Sequence, residues 1–245
     1  AANVDAVSVV TTSVAHCNVG QFFLNHGIHC LIEKPLATTE EGCRRLIDAA
    51  KNNKVTLLVG HIERFNPAVE QMGKILSDTS KIRSLTAQRM SAASGRITDV
   101  DVAMDLMIHD VEVIQSLVKS PVTNILACSV KTPDKPEGKD YITAILEFES
   151  GATANLTASR ITQARVRTLT VTTDTNYIDM DFINQSINVH SQGRMPYVNQ
   201  ESIPDWMNYG LKGSVEQLFI PTNQPLSAEL NHFMDCVRGN ATPRI

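Results

Sequence analysis

The sequence predicts an α/β fold that begins with part of a doubly wound parallel sheet and continues into an α+β region with a mostly antiparallel sheet. Two observations support this prediction. In the first 60 residues, short apolar segments rich in β-branched residues alternate with segments of helical periodicity, the order of βαβ units. From residue 82 onward, strand-like segments follow one another across polar turns and are interrupted by one strongly helical segment.

The first part of the chain contains three predicted strands and two predicted helices. The segment that begins at Val7 is almost continuously apolar, as expected for a strand covered on both faces. Gly27 suits the end of the first helix, and Thr38 or Thr39 can cap the second. Pro35 lacks a backbone donor and should end the second strand. The elements are strand 7–11, helix 14–25, a strand from residue 30, helix 39–52 and strand 55–59.

In the later part, a strongly helical segment at 101–118 should cover one face of the antiparallel sheet. Two strands alternate apolar and polar residues on either side of a turn at Ser150 and Gly151. Residues 192–224 have little periodicity and are predicted to form a long loop. Further helices are predicted at 67–76 and 226–237, and further strands at 169–173, 177–182 and 186–190. We place a domain boundary at residue 67, which gives domains 1–67 and 68–245.

One face of the strand after Gly151 is small, polar and uncharged. It carries Thr153, Asn155, Thr157 and Ser159, whereas a solvent-facing strand is usually rich in charge. Such a face suits a flat contact between two sheets, so we predict a homo-oligomer, either a dimer or a tetramer.

Composition narrows the class of protein. The chain has 245 residues, of which 42% are hydrophobic and 20% charged, enough to bury one or two cores. A net charge of −4 argues against binding to nucleic acid. The five scattered cysteines predict neither a disulfide framework nor a zinc site, and no apolar run reaches the ~18 residues of a membrane span. We therefore predict a cytoplasmic protein that binds a small molecule.

Polar residues follow each of the three predicted parallel strands. Thr11, Thr12 and His16 follow the first strand, residues 33–35 end the second, and residues 60–67 follow the third. Because parallel strands end at the same edge of a sheet, these groups should surround one ligand site. Read alone, Glu-Lys-Pro is also compatible with a surface ion pair, and the hydroxyls with helix caps.

Asp105 and His109 lie four residues apart on the predicted helix 101–118 and should share one face. A carboxylate one turn from an imidazole would orient the ring and raise its pKa, which suits a general base. A solvated ion pair is an alternative, and a metal pair is a weaker one because no third ligand occurs at suitable spacing. The sequence contains neither a glycine-rich dinucleotide motif nor a phosphate-loop motif.

Three motifs together resemble the Gfo/Idh/MocA family of NAD(P)-dependent oxidoreductases, in order and in spacing. The motifs are Glu33-Lys34-Pro35, Gly60-His61-x-Glu63-Arg64-Phe65-Asn66-Pro67 and Asp105-x-x-x-His109-Asp110. The resemblance covers essentially the whole chain, and the second motif is most similar to the nucleotide-sugar branch of the family.

The resemblance implies a Rossmann domain followed by an open-faced β-sheet domain used in oligomerisation. It implies hydride transfer between NAD or NADP and a secondary alcohol of a sugar or nucleotide sugar. The implied catalytic residues are Lys34, Asp105 and His109. The implied cofactor contacts are Thr11, Thr12, His16, Glu33, Lys34 and Pro35. The implied substrate contacts are Lys34, Arg64, Asn66, Arg89, Arg96, Asp105, His109 and Arg160.

The sequence departs from the family pattern at its start. The glycine-rich turn and the acidic residue for the adenosine ribose are absent, and Ala1 corresponds to a point inside the Rossmann domain. We therefore expect this chain to be part of a longer enzyme and to bind NAD weakly on its own. Two other functions stay open, namely an inositol or free-sugar dehydrogenase of the same family and a non-catalytic regulator on the same scaffold.

Overall fold

The computed structural model describes residues 4–92, 100–130, 140–191, 214–221 and 223–245. Its strands are Ala6–Val9 (β1), His29–Glu33 (β2), Leu57–Gly60 (β3), Ile82–Met90 (β4), Val122–Ser129 (β5), Tyr141–Phe148 (β6), Thr153–Ser159 (β7), Val166–Thr173 (β8), Asn176–Asp181 (β9), Ser186–Ser191 (β10) and Ser214–Leu218 (β11). Its α-helices are His16–Asn25 (α1), Glu40–Asn53 (α2), Pro67–Ile75 (α3), Ile108–Val118 (α4) and Pro225–Val237 (α5). No helix in these ranges is long and apolar enough to cross a membrane.

The first sheet is parallel, with the strand order β1-β2-β3. The βαβ order of the sequence is confirmed, and the last residue pair between β2 and β3 joins Glu33 to Gly60, so the ladder stops before Pro35. The side chain of Thr39 accepts a hydrogen bond from the backbone of Gly42 and caps α2. Leu24 of α1 and Leu46 of α2 belong to the apolar cluster that covers one face of this sheet.

Helix α5 covers the opposite face of the first sheet. Phe233 packs against Leu31 of β2 and Leu58 of β3, although α5 lies far away in sequence. The sequence predicts this helix over 226–237 but does not predict that it packs on the first sheet. The domain boundary at residue 67 stays a prediction.

The second sheet has eight strands in the order β11-β10-β9-β8-β4-β7-β6-β5. Every neighbouring pair is antiparallel except β4 and β7, which are parallel. Its apolar face forms the larger core with residues of α3 and α4, as the alternation in the sequence predicted. The mostly antiparallel second sheet is therefore confirmed.

Two elements differ from the sequence predictions. Strand β11 lies within the stretch predicted to be a loop, and its mostly exposed, polar residues gave no apolar alternation to detect. The part of that stretch before β11, 192–213, lies outside the described residues. The helix predicted over 101–118 contains a π-helical turn, Ala103–Met107, before α4 begins.

A buried arginine connects the two sheets. Arg89 of β4 is only 2% exposed, and its guanidinium contacts both carboxylate oxygens of Asp110 in α4 at 2.8–3.1 Å. It also donates to Glu63, in the turn after β3, at 2.8 Å. The guanidinium lies 4.9 Å from the centre of the Phe182 ring. One cation thus fixes α4, β4 and the end of the first sheet relative to one another.

We predict that Arg89→Met lowers the free energy of unfolding by about 3–5 kcal/mol, because two carboxylates would remain buried without their cation. Arg83→Met is the matched control, because Arg83 lies on the same strand and pairs with Asp174 at an exposed position. That control should change the free energy by at most about 1 kcal/mol. Urea denaturation of both variants makes the comparison. Equal changes in the free energy of unfolding for the two variants would show that the buried Arg89 network stabilises the protein no more than the exposed Arg83 pair.

Candidate active site

The three parallel strands of the first sheet end side by side, because β1 pairs with β2 and β2 with β3 in register. Thr11 and Thr12 follow β1 and are exposed. Lys34 follows β2, and His61 follows β3. The predicted grouping of polar residues at one sheet edge is therefore present in the structure.

An ion pair joins this edge of the first sheet to the π-helical turn that precedes α4. Lys34 Nζ lies 3.1 Å from Asp105 Oδ1 and donates to the backbone oxygen of Asp105 at 2.6 Å. Arg160, just after β7, approaches the other carboxylate oxygen of Asp105 at 3.3 Å. The same arginine donates to the backbone oxygens of Val100 and Asp101 at 2.8 and 2.9 Å. One carboxylate thus holds two cations in a largely buried position.

His109 lies next to this ion pair as a neutral imidazole. Its Nδ1 is sealed from solvent and has no hydrogen-bond partner among the described residues. Burial lowers the pKa of His109 well below its usual value, and the charges of Arg89 and Lys34 lower it further. The ring is therefore free to accept a proton near neutral pH.

The expectation that Asp105 raises the pKa of His109 is wrong. Asp105 lies in the π-helical turn Ala103–Met107, directly before α4. Its carboxylate contacts Lys34 and Arg160 instead. The pKa of His109 accordingly moves down rather than up.

His61 is a second neutral imidazole at this edge. Burial lowers its pKa to about 4, and the charges of Lys34 and Arg64 act in the same direction. Its Nδ1 is also buried without a partner among the described residues. The sequence placed His61 inside a polar cluster but gave no reason to select it, because its environment depends on Lys34 folding over from the neighbouring strand.

The predicted cofactor residues surround the end of β2. The Lys34–Pro35 peptide bond is cis. The His16 ring is buried, with Nδ1 2.7 Å from the Pro35 carbonyl oxygen and Nε2 3.2 Å from that of Thr11. His16 therefore braces the backbone at the ends of β1 and β2, whereas the hydroxyls of Thr11 and Thr12 remain at the surface.

Two residues proposed as substrate contacts, Asn66 and Arg89, are engaged elsewhere. Asn66 caps α3 through the Ala68 backbone and donates to Glu63 and to the Phe182 carbonyl, which uses all its strong hydrogen-bonding groups. Arg89 is buried in the network described above, so neither residue is available to a substrate. These two assignments are corrected.

Arg64 is ion-paired with Glu112 of α4 at 2.9 Å and is only partly exposed. Arg96 lies outside the described residues. Lys34, Asp105, His109 and Arg160 are the predicted substrate-contacting residues that the structure brings together.

The sequence analysis missed the role of Asp110, although a signal was present. Asp110 falls on the same helical stripe as the core residues Val113, Ile114 and Leu117. An acid at a core position requires a buried partner, and Arg89 provides it.

His61 and His109 are partly exposed beside the amine of Lys34, so their rings and this amine can offer donors and acceptors to a bound polar ligand. Such a donor and acceptor set fits a nicotinamide and an alcohol. Among the described residues, no three histidine, cysteine, aspartate or glutamate side chains are grouped so as to hold a metal ion.

Two family models match the chain. Residues 1–61 match an oxidoreductase family with an NAD-binding Rossmann fold, and residues 44–178 match the GFO/IDH/MocA C-terminal domain. The second match alone covers more than half of the chain.

Known proteins agree with these matches. A UDP-N-acetylglucosamine 3-dehydrogenase of Acidithiobacillus ferrooxidans is 30% identical over 237 residues, which are 96% of this chain and 71% of that protein. A solved structure of that enzyme superposes with a TM-score of 0.85 at 29% identity, covering 98% of this chain and 72% of the other. Inositol 2-dehydrogenase 2 of Saccharopolyspora erythraea is 26% identical over 156 residues, which are 61% of this chain and 46% of that protein.

The site at the strand ends, the two-sheet architecture and these matches lead to one conclusion: this chain belongs to the GFO/IDH/MocA family of oxidoreductases, whose amino-terminal part has an NAD-binding Rossmann fold.

Proposed function

We propose that this member of an NAD(P)-dependent dehydrogenase family oxidises a secondary alcohol of a nucleotide sugar to a ketone, or catalyses the reverse reduction. The ion pair between Lys34 and Asp105 carries the proposal, because it brings the strand ends of the first sheet beside His109. The similarity to a UDP-N-acetylglucosamine 3-dehydrogenase over almost the whole chain supports the substrate class. The inositol dehydrogenase relative matches a shorter part and supports the alternative substrate less strongly.

NAD or NADP, when bound, supplies the acceptor or donor of hydride. The residues that would hold the nicotinamide end are Thr11, Thr12, His16, Glu33, Lys34 and Pro35. His16 fixes the backbone of two strand ends through the carbonyls of Thr11 and Pro35, so the surface offered to the cofactor is rigid.

His109 accepts the proton of the substrate hydroxyl in the oxidative direction. Its depressed pKa keeps the imidazole neutral, which is the form that can act as a general base. Lys34 donates a hydrogen bond to the hydroxyl oxygen and stabilises the negative charge that develops there. Asp105 holds the Lys34 amine at 3.1 Å and so orients it. Arg160 is the proposed contact to the remainder of the sugar.

A screen of nucleotide sugars, free sugars and inositols with NAD and NADP tests this function. The absorbance of reduced nicotinamide reports turnover. A nucleotide sugar should give the highest kcat/KM. Turnover of inositol alone would favour the alternative substrate, and ligand binding without turnover of any alcohol would favour the regulator.

We predict that His109→Ala lowers kcat by roughly 10²–10⁴-fold, the range for a positioned proton acceptor. In the wild type, the acidic decline of oxidation should lie below the ordinary histidine pKa of ~6.5, because the pKa of His109 is lowered in the folded protein. The measurement is kcat/KM against pH. Near wild-type turnover in His109→Ala would remove this residue from the mechanism and leave Lys34 as the base.

We predict that Lys34→Met lowers kcat by about 10²-fold or more, by misplacing the substrate, and also moves the acidic limb of its residual activity to higher pH. The second effect follows because the Lys34 charge lowers the pKa of His109. Lys81→Met removes a lysine from an exposed pair with Asp78 and should change neither quantity. A limb that stays in place would contradict the electrostatic coupling of Lys34 to His109.

We also propose that the protein self-associates through the face of the second sheet that carries Asn155. Asn155 is exposed, and its neighbours across the strands, Ile145 and Leu126, are exposed apolar residues. Ser159 is buried, and its hydroxyl bonds with the Ile161 backbone and the Thr162 hydroxyl, so it is not part of the open surface. The face is therefore more apolar than the sequence suggested, which suits burial between two sheets.

We predict that Asn155→Trp lowers the sedimentation coefficient, because a large side chain would separate two flat sheet faces. Asn52→Trp is the control, since Asn52 is exposed on α2, which packs against the first sheet. An unchanged profile for Asn155→Trp, matching the control, would exclude this face as the contact.

A further inference from the structure

Helix α5 carries a carboxyl group, that of Glu229, in a position that is closed to solvent. Glu229 is 0% exposed, and neither of its carboxylate oxygens has a hydrogen-bond partner among the described residues. An ionised carboxylate without partners is costly to bury. The carboxyl group should therefore carry a proton, and that proton needs a hydrogen-bond acceptor.

The geometry of the first sheet provides the acceptor. Leu31 and Glu33 lie two apart on β2 and share one face, while Glu229 and Phe233 lie four apart on α5 and share one side of the helix. Phe233 packs against Leu31, and one turn earlier on α5 Glu229 lies close enough to Glu33 for the charge of Glu33 to act on it.

Gly60 makes room for this pair. It is the register partner of Glu33 on β3, and a Cβ atom at Gly60 would lie 3.0 Å from Cδ and Oε2 of Glu33. The carboxyl group of Glu33 therefore lies over the bare backbone of Gly60. Its Oε2 also accepts a weak hydrogen bond from the backbone N–H of Lys34 at 3.3 Å.

The protonation of Glu229 agrees with this geometry. Burial, followed by the negative charge of Glu33, raises the pKa of Glu229 to about 7. The charged group that acts on Glu229 is Glu33 on β2. Gly60, the partner of Glu33 on β3, has no side chain and so adds no charge. Two carboxyl groups that interact in this way favour a state with one proton bound to the pair.

We propose that Glu229 and Glu33 share one proton, with Glu229 donating to the Glu33 carboxylate, and that this acid pair positions the Glu33–Lys34 segment for catalysis. Glu229 is thus a positioning residue that acts through Glu33 and the Lys34 backbone. The catalytic consequence rests on the proposed function, whereas the shared proton does not.

The first test follows stability against pH and needs no substrate. An acid with a folded pKa of about 7 and an ordinary value of 4.5 binds its proton more tightly in the folded state. Its contribution to stability is therefore lost as pH rises from about 5 to about 8. The urea midpoint of Glu229→Gln should lose this component of the decline, because glutamine donates a hydrogen bond but does not titrate.

Asp235→Asn is the matched control, since Asp235 is an exposed acid on the same helix. It should retain the pH dependence of the wild type. If Glu229→Gln follows the same pH dependence as the wild type, the shared proton is overturned, whether or not the protein oxidises a sugar.

The second test separates positioning from packing. Glu229→Gln should keep kcat within a few-fold of the wild type, because it retains the hydrogen bond to Glu33, while Glu229→Leu should lower kcat by about 10²-fold with a smaller change in KM. The wild type should also lose kcat above about pH 7 as Glu229 ionises, and Glu229→Gln should not. Equal kcat values for the glutamine and leucine variants, with both folded, would overturn the positioning role.

Discussion

The burial of Arg89 is the constraint on which the rest of the structure depends. A guanidinium in a core must be fully paired, and its partners here come from the turn after the first sheet and from helix α4. Glu63 and Asp110 cannot move independently without leaving a charge unpaired. Because His61 lies two residues before Glu63 and His109 one residue before Asp110, the same ion network sets the separation of the two imidazoles.

The network also determines their protonation. Arg89 and Lys34 are cations close to a buried ring, and each opposes the imidazolium form of His109. Asp105 could have offset them, but its carboxylate pairs with Lys34 and Arg160. Two tasks are therefore separated, since one acid orients the lysine while the histidine stays neutral.

The sequence predicted the features that depend on local pattern and chain order. The parallel strands, the helix stop at Gly27, the cap at Thr39 and the alternation of the second sheet all rest on neighbours within a few residues. Packing between distant segments could not be obtained in this way. Helical spacing assigned Asp105 to His109, because the cations that bind Asp105, Lys34 and Arg160, come from distant segments. Similarly, the sequence suggested that Arg89 binds a ligand, because its partners Asp110 and Glu63 lie on other elements and are not adjacent to it in the chain.

The lysine that weakens the histidine as a base also makes the alcohol a better acid in the proposed reaction. A positive charge beside the hydroxyl stabilises the developing alkoxide, and the same charge lowers the proton affinity of His109. Proton transfer depends on the difference between the two proton affinities, so the two effects partly cancel. Moving Lys34 away would raise the pKa of the alcohol and of the imidazole together. The position of its amine is therefore more important than the basicity of either group, and Asp105 fixes that position from the π-helical turn before α4.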